Sequence, residues 1–481
     1  MRVFLRYACL CVLLFCLKAG ANAQSALAAN PIEMPSENPV FTDSSKLFVI
    51  REITITGNKK TTPSTILREL NFQVNDEFPL NVIVDKFYEA KKQLINSGLF
   101  RNVVVSLKSL RGYDVYVNID VDEKWYIYPF PFLHPVDKSF HQWWVDKDRN
   151  LDRVNYGVRF THNNLTGRGD KLDLKFTDGF TKEISLKYYG LYLDKKMQWS
   201  ASAGVSVGNV KEVNYMTLDN KDVALENNDN YLDNYIHSFL QFTYRPAIKT
   251  RHTFSIEYNS DKIADTILKL NPHFSNSKNA IQYLALSYRL TYFDVDFVPY
   301  PSTGYVADVT IRKQGFNDPV NLWQFTAKGS AYYPLGEKYF FNLATVGQIK
   351  LPFKQPYVNS QFLGYDDDFI QGLEYYVVNG VVGGYVKATV VRPLINTHFS
   401  IPSRRIRQLN DIPFKLYAKA FVNAGYVYNP CPGINSLTNR MLYSGGVGLD
   451  IVAFADFVIK LDWSFNLLAE NGLYLHRITY F

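Results

Sequence analysis

Cysteine is nearly missing from this chain of 481 residues: four are present, and Cys9, Cys11 and Cys16 all fall near its start. Only Cys431 lies beyond them, so no disulfide framework can hold the fold. Long apolar runs are missing too. After residue 17 no stretch of about 18 uncharged apolar residues occurs, which excludes helices that cross a bilayer. Charge of one sign is scarce, with a formal net charge of +7, and no polyanion partner such as nucleic acid is implied. Disorder is excluded because 47% of the residues are hydrophobic and only 20% charged. Aromatics are abundant: 34 Phe, 34 Tyr and 6 Trp. With a slightly negative mean hydropathy, this leaves an aromatic-rich soluble β protein or a transmembrane β-barrel.

The start of the chain bears on that choice. Arg2 and Arg6 precede an apolar stretch over 7–17, and Ala21-Asn22-Ala23 gives a small-residue cleavage site before Gln24. A secretory signal peptide over 1–23 is expected, and its removal would lower the net charge to about +4. A polar, Pro-containing linker over 24–45 follows.

A small α/β unit is expected over 46–123. A strand over 48–56 ends at Gly57-Asn58, and Thr62-Pro63 starts a helix over 64–70. A second helix over 81–96 aligns Ile83, Phe87, Ala90 and Leu94 on one face before Gly98 stops it. Strands over 101–108 and 113–122 complete the order β-α-α-β-β.

From Trp125 the pattern changes to strict alternation over 124–481. Trp199, Ala201, Ala203, Val205 and Val207 oppose Ser200, Ser202, Gly204 and Ser206, while Leu461, Trp463 and Phe465 oppose Lys460, Asp462 and Ser464. Alternation of this kind suits strands between lipid and a wet lumen. Sixteen strands are expected: 125–135, 154–163, 169–178, 182–194, 196–208, 233–247, 249–261, 280–294, 304–316, 320–334, 338–352, 384–394, 413–428, 441–453, 457–466 and 473–481. Tight turns at 165–168 and 334–337 should face the periplasm and the longer loops at 209–232, 262–279 and 353–383 the exterior. The connection at 395–412 is long for its side.

Ile53-Thr54-Ile55-Thr56-Gly57-Asn58 and Ser97-Gly98-Leu99-Phe100 make the first unit resemble a POTRA (polypeptide-transport-associated) domain. One POTRA domain before sixteen strands is similar to the BamA-like outer-membrane assembly and translocation family. Asn163 to Gly169, Pro301 to Gly304, Phe369 to Glu374 and the strand Ala420 to Gly425 carry that likeness in order. The fold class it implies is an α+β POTRA domain followed by a 16-stranded antiparallel transmembrane β-barrel in the outer membrane of a diderm bacterium, with the POTRA domain in the periplasm.

The resemblance implies that the loop at 353–383 folds into the lumen and that an arginine on it pairs with an acidic residue of the late strand. Here those positions are Gln371, beside Gly372, and Asn423, so a neutral amide–amide hydrogen bond is the expected anchor. Pro129 and Pro131 remove two donors from one edge of the first barrel strand, and with Phe481 on the last strand they mark an under-bonded seam. In the POTRA unit the strand with Arg101, Val103, Val104, Val105 and Leu107 is the expected client-binding edge.

Enzyme signals are weak. Gly204-Val205-Ser206-Val207-Gly208 matches a nucleophile elbow but sits inside an alternating strand. Asp366-Asp367-Asp368 reads as a solvated loop, and no metal or cofactor is expected. Two function classes remain. One is an assembly or translocation factor acting on unfolded or β-rich clients beside the bilayer, with accessory periplasmic or lipoprotein subunits. The other is a passive outer-membrane pore or anchor and scaffold subunit without insertase activity.

Overall fold

Four strands and two helices build the first unit of the computed structural model, which describes residues 46–136, 143, 148–317, 319–365, 368–399, 412–453 and 457–478. The expected signal peptide, the 24–45 linker, most of the 395–412 connection and Phe481 lie outside the described residues. Strands β1 (Leu47–Thr56), β2 (Glu77–Pro79), β3 (Phe100–Arg111) and β4 (Asp114–Glu123) form a sheet in the order β2-β1-β4-β3. The central β1 and β4 run parallel, and β3 lies at an edge. Helix Leu80–Asn96 packs Ile83, Ala90 and Leu94 onto Ile50, Val103, Val117 and Ile119. Its apolar spacing of four, three and four residues produces that contact face. The first helix is shorter than expected, Pro63–Leu67, and the Thr62 side chain makes no cap bond. The Thr62 N–H instead donates to the Gly167 carbonyl at 2.9 Å, in a turn of the second unit.

The remaining chain runs through β5 (Ile127–Pro135), β6 (Val154–Asn163), β7 (Lys171–Gly179), β8 (Thr181–Tyr192) and β9 (Trp199–Val210). A hairpin of β10 (Glu212–Leu218) and β11 (Lys221–Glu226) follows, then β12 (Asp233–Ala247), β13 (Thr250–Ile263), β14 (Ala280–Val295) and β15 (Gly304–Asn317). Next come β16 (Val320–Leu335), β17 (Tyr339–Leu351) and the short pair β18 (Gln361–Leu363) and β19 (Val378–Asn379). The series ends with β20 (Val382–Phe399), β21 (Ile412–Tyr428), β22 (Met441–Ala453), β23 (Phe457–Asn466) and β24 (Asn471–Ile478).

Sixteen of these strands form one antiparallel sheet in sequence order. Side chains alternate across it. On β21, Lys419, Phe421, Asn423 and Val427 are buried while Ala420, Val422, Ala424 and Tyr426 are exposed. Tyr300, between β14 and β15, donates to Asp450 Oδ2 on β22 at 2.7 Å. That bond joins strands far apart in the sheet order, so the sheet wraps around a lumen. The β10–β11 hairpin, helix Asp265–Leu270 and the β18–β19 pair were not legible as elements, because each lies in a loop without strand-length alternation.

The POTRA unit is fastened to the turns at one end of the barrel. Gly167 has φ +84°, and a Cβ there would come within 2.3 Å of the Lys60 carbonyl. Only glycine fits that approach, which explains its place in the Asn163 to Gly169 motif. Asn96 Nδ2 donates to the Val295 carbonyl at 2.7 Å, and Lys92 pairs with Asp294 at 2.8 Å. The strongest tie is Glu69, which accepts from Arg245 Nη1 at 2.7 Å and Nη2 at 2.6 Å and from Arg68 Nη2 at 2.8 Å. Burial alone would push this carboxyl up, but the guanidinium of Arg245, with that of Arg68, holds it down at about 2.

A carboxyl with a depressed folded-state value stabilises above its unfolded value and loses that contribution as pH falls through the folded one. The depression from 4.5 to about 2 corresponds to roughly 3 kcal/mol. POTRA docking is therefore expected to be intact at pH 5 to 8 and to weaken between about pH 4.5 and 2. Energy transfer between dyes on the POTRA unit and the barrel checks this. Glu69→Gln, which leaves Arg245 buried without a counter-ion, should loosen the contact already at pH 7.

Candidate functional site

The loop between β17 and β20 lies against the inner wall of the last strands. Gly372 has φ +89°, and a Cβ on it would be 3.1 Å from Ser464 Cβ and 3.4 Å from Ser444 Cβ. The loop backbone can touch β22 and β23 because that atom is missing. Ile370 is buried and packs on Gly425, where a Cβ would lie 2.7 Å from Ile370 Cδ1. Phe369 stacks on His476 with centroids 4.7 Å apart. Glu374 accepts from the Gly372 N–H at 2.7 Å and lies 3.2 Å from His476 Nε2. Asn466 Nδ2 donates to the Gly372 carbonyl at 2.8 Å.

The expected Gln371–Asn423 pair is not formed. Gln371 Nε2 donates to Asp462 Oδ2 on β23 at 2.8 Å. Asn423 Nδ2 donates across the ladder to Ser444 Oγ at 3.0 Å. The reason lies in the wall itself. Lys419 Nζ is 2.7 Å from both Asp450 Oδ1 and Asp462 Oδ1, and all three side chains are buried. Lys419 takes one oxygen of Asp462 and leaves the other for the Gln371 amide. Charge at this site therefore sits in the wall, and the loop contributes a neutral donor. Alternation placed Lys419 and Asn423 on one face and Asp462 on the polar face of β23, but the distances between those strands are tertiary information.

At the far rim, Asn220 between β10 and β11 ties three loops together. Its N–H donates to Asn435 Oδ1 at 2.9 Å and its Nδ2 to Ser436 Oγ at 3.1 Å. Its Oδ1 accepts from the Leu437 N–H at 3.0 Å and its carbonyl from the Val377 N–H at 2.8 Å. Every polar group of this buried residue has a partner, so the hairpin spans the mouth without an unsatisfied group.

Pro129 and Pro131 pair in register with Phe160 and Val158 of β6. The Asn163 N–H donates to the Tyr126 carbonyl and the Val136 N–H to the Arg153 carbonyl, so even-numbered residues of β5 point their backbone groups at β6. Pro129 and Pro131 are odd-numbered and thus point at the opposite, free edge. β5 and β24 are the two ends of the sheet order, and among the described residues no ladder joins them. Phe481 lies outside the described residues.

On the POTRA edge strand, Val103 is fully buried and Val105 packs on the same core, whereas Val104 and Leu107 are exposed. Arg101 is bound to Asp122 of β4. The outward edge of β3 therefore offers backbone groups with Val104 and Leu107, while Val103 belongs to the core. The ladder to β4 shifts register between Phe100 and Asn102 and between Leu107 and Ser109. Ser206 of the G-x-S-x-G sequence is in mid-strand, 2.8 Å from Ser185 Oγ. Asp368 is held by Lys328 at 2.9 Å and by Tyr385, and Asp366 and Asp367 lie outside the described residues.

Two substitutions separate wall from loop. Gln371→Ala removes one hydrogen bond to a buried carboxylate, worth about 1.5–3 kcal/mol, and should make the 364–377 segment cleavable by protease while the barrel stays folded. Lys419→Met removes the ammonium in contact with both Asp450 and Asp462, leaving Lys460, opposite Asp450 in the ladder, as a nearby cation, and should cost up to about 3–5 kcal/mol of barrel stability, read from the unfolding temperature in semi-native electrophoresis.

The Omp85 superfamily domain matches residues 164–472, and the POTRA description, surface antigen variable number repeat, matches residues 48–124. No curated protein matches the chain. Among solved structures, BamA from Haemophilus ducreyi lacking POTRA domains 1-3 is similar at 13% identity and a TM-score of 0.49, over 89% of this chain and 83% of that one. CdiB from Escherichia coli is similar at 10% identity and a TM-score of 0.46, over 93% and 92%. The superfamily match spans well over half of the residues, and the chain belongs to the Omp85 superfamily of outer-membrane assembly and translocation proteins, with one POTRA domain ahead of its barrel.

Proposed function

We propose that the protein inserts or exports β-rich polypeptides at the outer membrane by opening the seam between its first and last barrel strands. The observation that carries this reading is the free edge of β5, where Pro129 and Pro131 remove two donors from the side turned away from β6. A seam lacking those ladder bonds is weaker than any other strand pair. Client strands can then template on the opened edges and pass sideways into lipid without ATP. The POTRA unit stands in the periplasm and receives extended clients on the β3 edge by β-augmentation, through backbone groups beside Val104 and Leu107. Gln371 and Gly372 anchor the lumen loop on the wall next to that seam, since the loop touches β22, β23 and β24. Accessory periplasmic or lipoprotein subunits would deliver the clients.

One observation favours a second reading, a passive pore or scaffold: the loop carries Gln371 where the family resemblance leads one to expect an arginine. Depletion followed by outer-membrane proteomics distinguishes the two. Broad loss of barrels supports assembly, loss of a single client supports dedicated translocation, and no loss supports the passive reading.

Pro129→Val combined with Pro131→Val returns two donors to the edge, each worth about 1 kcal/mol in a ladder. Client assembly in proteoliposomes should slow several-fold while the barrel's unfolding temperature rises. A disulfide between 127–135 and 471–478 that left assembly intact would sink lateral opening.

A further inference from the structure

A groove of about 750 Å³ runs between the POTRA unit and the barrel turns at 193–198 and 246–249. Its POTRA wall includes Ile53, Leu67, Leu70 and Val74, and its barrel side carries Lys195, Lys196 and Ile248. Leu67 and Val74 are 43% and 47% exposed, and both open into this groove. The two lysines are exposed, and among the described residues neither ammonium has a carboxylate partner.

The position of the groove along the barrel identifies what covers it. Trp199 of β9 and Tyr244 of β12 are register partners and stack at 4.7 Å on the outward face. Leu191 and Leu193 are exposed at the same level. Paired aromatics at the end of an apolar band mark the interface of a bilayer, and lysines just beyond them lie at headgroup depth. The groove therefore begins where the lipid-facing wall ends, with Lys195 and Lys196 beside Ile248 on its barrel side and Leu67 and Val74 beside Arg68 on its POTRA side.

We infer that this groove holds one anionic phospholipid of the leaflet on the POTRA side. The phosphate lies against Lys195 and Lys196, and the start of an acyl chain covers Leu67 and Val74. The bilayer then touches the POTRA unit directly, beside the Glu69–Arg245 tie.

The full chain in nanodiscs of phosphatidylcholine with about one-tenth phosphatidylglycerol, stripped in detergent and weighed by native mass spectrometry, tests this. Wild type is expected to retain one phosphatidylglycerol. Lys195→Gln with Lys196→Gln should weaken retention at least about tenfold, two surface lysines being worth about that much against an anionic lipid. Leu67→Ser with Val74→Ser should weaken it as well. Equal retention by the lysine variant overturns the inference. So does unchanged retention by the POTRA variant, which would mean plain surface attraction. A photo-cross-linker placed at Val74 in the otherwise wild-type chain provides a readout independent of those variants' folding. Lipid adducts support the inference, and polypeptide adducts overturn it in favour of a client groove.

Discussion

Within a bilayer no water is at hand to satisfy a peptide group, and every other feature of this barrel follows from that constraint. Sixteen strands answer it by pairing edge to edge, and the pleat then sorts side chains without further instruction. Outward positions such as Val422, Trp463 and Phe465 meet lipid, and inward ones such as Lys419, Asn423 and Ser464 meet the lumen. Pro129 and Pro131 stand on a strand at one end of the sheet order, turned away from its ladder partner β6. Two prolines of one parity within an interior strand such as β21 would take two donors from one of its ladders. Their placement at β5 is thus compatible with the fold.

Buried charge is arranged by a second rule. A charge removed from water costs several kcal/mol unless a partner of opposite sign is in contact. At the POTRA junction Glu69 is enclosed by two guanidinium groups, and in the wall Lys419 is enclosed by two carboxylates. Each cluster links pieces distant in sequence: the turn after the first POTRA helix with the β12 end in one, and β21, β22 and β23 in the other. Tyr300 and Gln371 reach the wall cluster from opposite ends of the barrel, one from a turn on the POTRA side and one from the far loop. The loop needs no charge of its own, because the wall already supplies a carboxylate oxygen with a vacant lone pair.

Much of this was legible without coordinates. Dyad alternation located all sixteen strands, several with the same first or last residue, since one lipid-facing side and one wet side leave a period of two that no turn can mimic. The helix face of Ile83, Ala90 and Leu94 and the glycine-rich motif around Gly167 were equally readable from spacing. The β10–β11 hairpin was not, because its stability comes from Asn220 meeting two other loops rather than from its own pattern.

The sequence by itself determined the period, the strand number, the polarity of each face and the residue types available to the lumen, because these depend only on neighbours along the chain. Which inward residue meets which was decided by the curvature of the whole sheet. Gln371 reaches Asp462 and not Asn423 because curvature and register bring β23 under the loop, and a residue 91 positions away in sequence becomes a hydrogen-bond partner. Pairing across a lumen depends on the shear of the whole barrel, a property that no local stretch of sequence contains.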